Sequence, residues 1–221
     1  MLNHLPKDLL CVWDVEVCHG PDETSGGWSN PRGMDLASAV VYTYQDDRYH
    51  IFLHPSSRED LYNLLEGKIC IGFNSVRFDT RVLLGNNQSV YLGTRLEDPV
   101  MTISQEDDLL LRHLDLMLLY CHSKWGFTDD WDQLKKTLDD PKTHQGGVFN
   151  LNALCKNTLG SQKTGHGAHA PKLYQQKKYD QLISYNLQDV RLTRKLFEYI
   201  QTYRQVINGQ QEVIKIGGTG K

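Results

Sequence analysis

The chain has 221 residues, of which 39% are hydrophobic and 23% are charged, and this is enough for one packed domain of ordinary composition. No stretch approaches the roughly 18 consecutive apolar residues of a membrane span, and the first residues lack the basic and apolar segments of a secretion signal. The five cysteines are scattered and form no C-x-x-C pair, which argues against a disulfide framework and a zinc knuckle. We therefore expect a cytoplasmic protein with no membrane association.

The net charge of -3 conceals an uneven distribution. Residues 1–120 hold 9 basic and 18 acidic residues, whereas residues 121–221 hold 15 basic and 9 acidic residues. Residues 142–178 contain six lysines and no acidic residue. Such a segment can lie along a polyanion such as nucleic acid, or it can be a solvated lysine-rich face, and the composition alone leaves both readings open.

The order of the elements predicts an α/β domain with one mixed sheet. Alternating or continuous apolar runs predict strands at residues 9–17, 36–44, 48–54 and 68–74, the second and third forming a hairpin. Helical spacing of apolar residues predicts helices from about Ser56, from about Asp79, within 109–125, and over 129–138, 150–160 and 179–205. Residues 18–33 and 160–172 are rich in glycine and proline and predict loops.

Local signals refine these boundaries. Ser56 and Glu59 have the spacing of a capping box, and Asn150 and Gly160 are suited to begin and end one helix. Residues 85–106 give no clear pattern. We assign residues 1–205 to the domain and residues 206–221 to a C-terminal tail that frays at its end.

Four acidic residues are candidates for a functional site because of their positions in the predicted elements. Asp14 and Glu16 in "VWDVEV" share one face of the first predicted strand, which on its own is typical of a half-exposed strand. Asp79 follows the strand at 68–74, where a sheet edge commonly delivers functional groups. Asp189 lies four residues after Tyr185, so the two side chains share one helix face.

If the first strand is central and the long helix crosses its carboxyl end, these four carboxylates converge. Like charges 4 Å apart repel by about 4 kcal/mol at an effective dielectric near 20, and only protonation or bound cations relieve that repulsion. Hard oxygen ligands select Mg²⁺ or Mn²⁺, and two such ions are a common device for cleaving phosphodiesters.

The chain resembles the DEDDy branch of the DnaQ-like 3′–5′ exonucleases. The resemblance rests on three motifs in the family's order, D-V-E at 14–16, N-x-x-x-F-D at 74–79 and Y-x-x-x-D at 185–189. The segments "GGWSNPRGMDLASAVVY", "IGFNSVRFD", "RHLDLM" and "KTGHGAHAPKL" resemble the stand-alone bacterial and phage relatives of the family-B DNA polymerase proofreading domain. The resemblance covers roughly residues 9–200 and implies a ribonuclease H-like fold with a mixed central sheet flanked by helices.

The resemblance also implies roles for the acidic residues. Asp14 would bridge two metal ions, Glu16 and Asp189 would complete the tighter site, and Asp79 would hold the second ion. Tyr185 would hydrogen-bond the attacking water, and because a phenol has a pKa near 10 we assign it orientation rather than proton transfer. The implied products are nucleoside 5′-monophosphates.

Other residues are expected to contact the substrate or to support the fold. The implied substrate contacts are Asn74, Phe78, Lys163, His166, His169 and Lys172. An H-x-x-H metal site is the rival reading of His166 and His169, although the loop offers no cysteine or acid to complete it. We expect Asp115 to cap the helix after it, and Trp28 and Trp125 to be packing residues, with base stacking as the alternative.

The implied substrate is nucleic acid, with single-stranded DNA favoured and RNA left as an alternative. An exoribonuclease, an endonuclease of ribonuclease H type and a nucleic-acid-binding module that does not cut are the competing readings. Residues 85–108 and 126–145 do not align with the family. A polymerase, helicase or other replication or repair partner is not identified by the sequence.

Overall fold

A computed structural model describes residues 2–91, 100–105, 110–126, 136, 148–163 and 169–217. Within these residues the chain is an α/β protein with a seven-stranded mixed sheet flanked by helices. The sheet strands are β1 (Leu10–Val17), β2 (Leu36–Thr43), β3 (Arg48–Leu53), β4 (Ile69–Gly72), β5 (Gln88–Tyr91), β6 (Met101–Gln105) and β7 (Leu110–Asp115).

The sheet has the strand order β3-β2-β1-β4-β7-β6-β5. The first three strands form an antiparallel meander, in which Asp14 pairs with Val40 and Glu16 with Ser38. The strands β4 and β7 are parallel to β1, β6 is antiparallel to β7, and β5 is antiparallel to β6. The predicted hairpin of β2 and β3 is therefore confirmed, and β1 lies inside the sheet, with the carboxyl end of β4 beside its middle.

The helices in the described residues are α1 (Arg58–Leu65), α2 (Asp79–Leu84), α3 (Leu116–Trp125), α4 (Leu151–Leu159), α5 (Ala170–Gln175) and α6 (Tyr179–Tyr203). The long helix α6 packs on β1 and β2 and also contacts α4 and α5. Its buried residues recur at helical spacing, among them Leu182, Val190 and Phe197. The apolar face that the sequence predicts is thus the face that covers the sheet.

The capping signals are confirmed at one helix and wrong at another. At α4, Asn150 Oδ1 accepts a hydrogen bond from the Ala153 N–H over 2.8 Å, and Gly160 ends the helix in the left-handed conformation. The expected capping box of Ser56 and Glu59 does not form. A 3₁₀ turn at Pro55–Ser57 delays the start of α1 to Arg58, and the side chain of the N-cap residue Ser57 accepts no capping hydrogen bond from the helix.

Two further boundaries differ from the prediction. The loop expected over 160–172 ends earlier, because α5 begins at Ala170 with Pro171 in its first turn, a position that proline tolerates well. Residues 85–106, which gave no clear pattern, contain the edge strand β5 and its neighbour β6. The helix expected over 129–138 falls almost wholly outside the described residues.

Residues 206–217 are packed, in place of the tail that the sequence suggests. The strands β8 (Gln205–Ile207) and β9 (Val213–Lys215) form a hairpin. Val206, Ile214 and Ile216 from this segment are buried in the main core. Burial removes the apolar surface of these three side chains from water, and this stabilises the packing of the segment against the domain. Residues 218–221 lie outside the described part.

No helix among the described residues combines the length and the apolar content needed to cross a bilayer.

Candidate metal centre

The strand β1 carries two acidic side chains near its carboxyl end. Glu16 is only 8% exposed and Asp14 is partly buried, so neither belongs to an ordinary wet strand face. The pairing of β1 with β2 shifts register between Glu16 and Val17. Irregularities of this kind bend a strand and re-aim its side chains next to functional sites. Asp14 and Glu16 are therefore directed into an enclosed region rather than into solvent.

Asp79, the first residue of α2, reaches β1 from the neighbouring segment. Its Oδ1 accepts a hydrogen bond from the backbone N–H of Val15 over 2.8 Å, and the residue is 3% exposed. The chain arrives there because β4 is parallel to β1 and α2 follows it after a short turn. Carboxyl ends of parallel strands meet at one edge of a sheet, and this places Asp79 beside Asp14.

The helix α6 brings Tyr185, Asn186 and Asp189 to the same place. Nδ2 of Asn186 donates a hydrogen bond to Oδ2 of Asp14 over 2.7 Å, which ties the helix to β1. Asn186 is fully buried and Asp189 is 4% exposed. Tyr185 lies one helical turn before Asp189 on the same face and is half-buried.

Three of the acids form a group with the geometry of a metal site. Asp14, Glu16 and Asp189 each offer a carboxylate oxygen, and these three oxygens lie within 4.8 Å of one another. Asp79 lies next to this group but is not one of its three members, and its Oδ1 accepts the hydrogen bond from Val15.

Two features of the group suit a divalent cation. Oδ1 of Asp189 is buried and has no hydrogen-bond partner among the described residues, and a buried acceptor without a donor is costly. All the side-chain donor atoms are hard oxygens, which are the ligands that Mg²⁺ and Mn²⁺ prefer. The residues therefore fit such an ion, and Asp14, Glu16 and Asp189 are the ones that would hold it.

The raised pKa values of the acids also suit the binding of a cation. Burial raises the pKa of Asp14 well above its usual range, and the charges of Asp79, Asp189 and Glu16 raise it further. Burial likewise raises the pKa of Glu16 and of Asp189, and it raises the pKa of Asp79 to about 7. Without a cation, these carboxylates are held in a setting that disfavours their charged forms.

Lys163 enters this cluster, although the sequence suggested only a phosphate contact for it. Its Nζ donates hydrogen bonds to Oδ2 of Asp189 and, over 3.4 Å, to the hydroxyl of Tyr185. The ammonium also lies 5.5 Å from the centre of the Tyr185 ring. Burial alone would lower the pKa of Lys163, but the neighbouring acids, Asp189 first, raise it above its usual value. Lys163 is thus a charged partner of Asp189 in this structure.

The turn after β4, which carries the second motif, is fixed by Asp115. Oδ1 of Asp115 accepts the N–H of Asn74 over 3.0 Å, and Oδ2 accepts the N–H of Val76 over 3.1 Å. Asp115 also caps α3 by accepting the N–H groups of Met117 and Leu118, which confirms its predicted structural role. Asn74 has a positive φ of 61°, so this bonding holds the turn in a conformation that few residues adopt readily.

Trp28, which is exposed, and Phe78, which is partly buried against the core, form an aromatic pair beside Asp79. Their ring centres are 6.0 Å apart, and Trp28 is 69% exposed, so the packing role expected for Trp28 is wrong. Its loop is anchored to α2, since Arg81 donates to the carbonyl of Ser29 over 2.7 Å. Trp125, by contrast, packs edge-on against Tyr120 and Phe149.

Two of the other expected substrate contacts lie at or next to the first turn of α5. His169 and Lys172 are exposed at the start of α5, and His166 lies outside the described residues. The H-x-x-H reading of the two histidines therefore stays untested. Lys163 belongs to the lysine-rich segment, and its side chain reaches the acids.

Asn186 is the site residue that sequence reasoning missed. A signal for it was present in "YNLQD", because Asn186 lies three residues before Asp189 and residues at that spacing share a helix face. The amide carries no charge, so a search for clustered acids passes over it.

The chain matches no protein-family model, and a search of curated proteins gives no match.

Proposed function

We propose that this protein is a metal-dependent 3′–5′ exonuclease of the DEDDy type with a ribonuclease H-like fold. It releases nucleoside 5′-monophosphates from the 3′ end of nucleic acid, with single-stranded DNA as the favoured substrate. The observation that supports this most strongly is the meeting of Asp14, Glu16 and Asp189, within 4.8 Å, from two segments that lie far apart in the sequence. The mixed sheet flanked by helices is compatible with the proposed fold.

In this proposal the acids hold the ions and the neighbouring residues position the reactants. When bound, Mg²⁺ or Mn²⁺ ions supply Lewis acidity, which makes a bound water more acidic and stabilises a leaving oxygen. Asn186 orients Asp14, and Asp79 adds negative charge at the edge of the group. Tyr185 orients the attacking water through its hydroxyl.

The aromatic pair, in which Trp28 is the exposed member, offers a place for the bases of the strand. Trp28 and Phe78 lie beside Asp79, and aromatic side chains that accept stacked bases do so without sequence preference. A single strand has unstacked bases to offer, whereas a duplex hides them. This is why we favour single-stranded nucleic acid.

We keep a cytoplasmic location as part of the proposal. All five cysteines are buried and carry free thiols, which a reducing compartment preserves.

Digestion of labelled oligonucleotides tests the proposal. The protein is incubated with 5′-labelled single-stranded DNA and RNA, and with closed circular DNA, in Mg²⁺, Mn²⁺, Ca²⁺ or EDTA. We expect a ladder that shortens from the 3′ end of DNA in Mg²⁺ or Mn²⁺, intact circles, and no cutting in EDTA. Faster digestion of RNA would change the substrate to RNA, and cutting of closed circles would indicate an endonuclease.

A pair of variants links the activity to the acidic cluster. Asp14→Asn removes one charge from the metal group, and we expect it to abolish digestion. Asp60→Asn makes the same chemical change at an exposed position of α1 and should leave digestion unchanged. If Asp14→Asn cuts as fast as the unaltered protein, the nuclease assignment is wrong. Binding without cutting by the unaltered protein would favour the non-cutting module.

A further inference from the structure

Lys163 occupies an unusual position, since it is a cation placed inside a group of metal-binding carboxylates. Its side chain is 22% exposed, and that of Asp189, its hydrogen-bonded partner, is 5% exposed. The carboxylate of Asp14 also acts electrostatically on the ammonium, and the neutral hydroxyl of Tyr185 accepts a hydrogen bond from it. The ammonium therefore neutralises part of the charge of the acidic cluster when no metal is bound.

The backbone around Lys163 is held from both sides. Its N–H donates to Oδ1 of Asn152 on α4 over 2.8 Å, and the carbonyl of Gln162 accepts from Nε2 of Gln188 on α6 over 3.3 Å. These bonds fix the Cα of Lys163 beside α6. The four-carbon side chain remains able to move the ammonium by several ångströms without disturbing the backbone.

The ammonium and a metal ion need the same carboxylate. Lys163 donates to Oδ2 of Asp189, and Asp189 is one of the three residues whose oxygens form the metal group. A divalent ion on Asp189 would place like charges a few ångströms apart, and like charges at that distance inside a protein repel each other strongly. Binding of the ion and the present lysine contact therefore oppose each other.

We propose that Lys163 is a resident counter-cation of the acidic cluster, which a divalent ion displaces from Asp189 and which then binds a phosphate of the nucleic acid. This inference rests on the proposed function. A released ammonium has three donors and no carboxylate partner, and a phosphodiester entering the site offers the oxygens that it needs. Metal binding and nucleic-acid binding are coupled through this one side chain.

The coupling predicts that one substitution has opposite effects on the two ligands. Lys163→Met keeps the length of the side chain and removes its charge. Without nucleic acid, we expect Lys163→Met to bind Mn²⁺ about tenfold more tightly than the unaltered protein, measured by isothermal titration calorimetry. With Ca²⁺ present, we expect it to bind a single-stranded DNA oligonucleotide with 3′ phosphorothioate linkages about tenfold more weakly. In EDTA, where Asp189 holds the lysine, its DNA affinity should equal that of the unaltered protein.

Lys156→Met is the matched control, because Lys156 is exposed on α4 in the same lysine-rich segment. We expect it to leave Mn²⁺ affinity unchanged and to have equal effects on DNA binding in Ca²⁺ and EDTA. Circular dichroism establishes that each variant is folded, and Lys163→Gln serves in place of the methionine variant if that one is not.

The outcomes separate this inference from the proposed function. If Lys163→Met and the unaltered protein bind Mn²⁺ equally, the counter-cation role is refuted while the nuclease proposal stands. If the variant binds Mn²⁺ more tightly and neither protein digests DNA, the counter-cation role is supported and the nuclease proposal fails. If neither protein binds Mn²⁺, both are refuted.

Discussion

Asn186 donates a hydrogen bond from Nδ2 to Oδ2 of Asp14 over 2.7 Å, and this bond joins the long helix α6 to the central strand β1. It crosses 172 residues of sequence and fixes one oxygen of the acid on which the proposed chemistry depends most. Partners that orient a metal ligand commonly change affinity or activity by 10- to 100-fold when they are removed.

We predict that Asn186→Ala lowers both the digestion rate and the Mn²⁺ affinity by about 10- to 100-fold. The physical reason is that Asp14 loses the donor that holds its carboxylate in place. Digestion kinetics and calorimetry measure the two effects. Gln181→Ala, at an exposed position of the same helix, controls for the change in helix propensity. A rate and affinity equal to those of the control would show that Asp14 needs no orientation from Asn186.

The elements that could be predicted from the sequence are those whose signals are local. Alternation and helical spacing located β1, the hairpin of β2 and β3, and the long helix α6 within a few residues. The position of Asp79 at an edge of the sheet was also expected, because it follows a predicted strand. In each case the pattern of apolar residues within one element is enough to predict its type and its position in the sequence.

The parts that escaped prediction depend on contacts between distant segments. The hairpin of β8 and β9 has three-residue strands, which are too short for an alternation signal, and it is held by the burial of Val206 and Ile214. The contact of Lys163 with Asp189 depends on where α4 and α6 place a loop. The exposure of Trp28 depends on the docking of its loop on α2. The spacing of neighbouring residues in the sequence does not predict any of these contacts between distant segments.

Tyr185 should act as a positioning group that stays protonated. Burial, and then the charge of Asp189, raise the pKa of its phenol above the usual value, so the hydroxyl does not ionise at neutral pH. We predict that Tyr185→Phe lowers the digestion rate about 10- to 100-fold, at or below the low end of the range for proton-transfer groups. Its Mn²⁺ affinity should stay within about twofold of the unaltered protein, and its pH–rate profile should keep its shape.

Tyr203→Phe is the control for the loss of a phenol, because Tyr203 is 60% exposed at the far end of α6. A pH–rate profile of the unaltered protein with an alkaline limb that disappears in Tyr185→Phe would contradict the positioning role, since it would make Tyr185 a proton-transfer group.

Trp28 should contribute to the binding of a single strand. Base stacking on an aromatic side chain contributes about 1–3 kcal/mol per base, so we predict that Trp28→Ala weakens binding of single-stranded DNA by about 5- to 100-fold. Trp28→Phe should retain most of the affinity, because a phenyl ring still stacks. Fluorescence anisotropy in Ca²⁺ measures the dissociation constants. Tyr203→Ala removes an equally exposed aromatic residue elsewhere, and a loss as large as that of Trp28→Ala would show a general surface effect.

His113 gives the fold a dependence on pH that is separate from the acidic cluster. It is fully buried on β7, its Nε2 lies 2.6 Å from the hydroxyl of Ser75, and burial lowers the pKa of its imidazole to about 3. The unfolded chain takes up this proton near pH 6.5, whereas the native protein does not. The contribution of His113 to stability is therefore complete above about pH 6.5 and is lost as the pH falls from there towards 3.

We predict that His113→Gln makes the loss of stability in acid shallower. The free-energy advantage of the unaltered protein over this variant should shrink by up to about 1.4 kcal/mol for each pH unit below about 6. Urea unfolding in EDTA at pH 7, 6 and 5 measures it. The acids of the cluster make an opposite contribution to the free energy of unfolding, because their protonation stabilises the fold as the pH falls. They titrate in both proteins, so this contribution cancels when the two free energies are subtracted. His4→Gln, at an exposed position, controls for the loss of a histidine. A constant difference across this range would mean that the native protein binds the proton as readily as the unfolded chain, and the imidazole would then not be held neutral by burial.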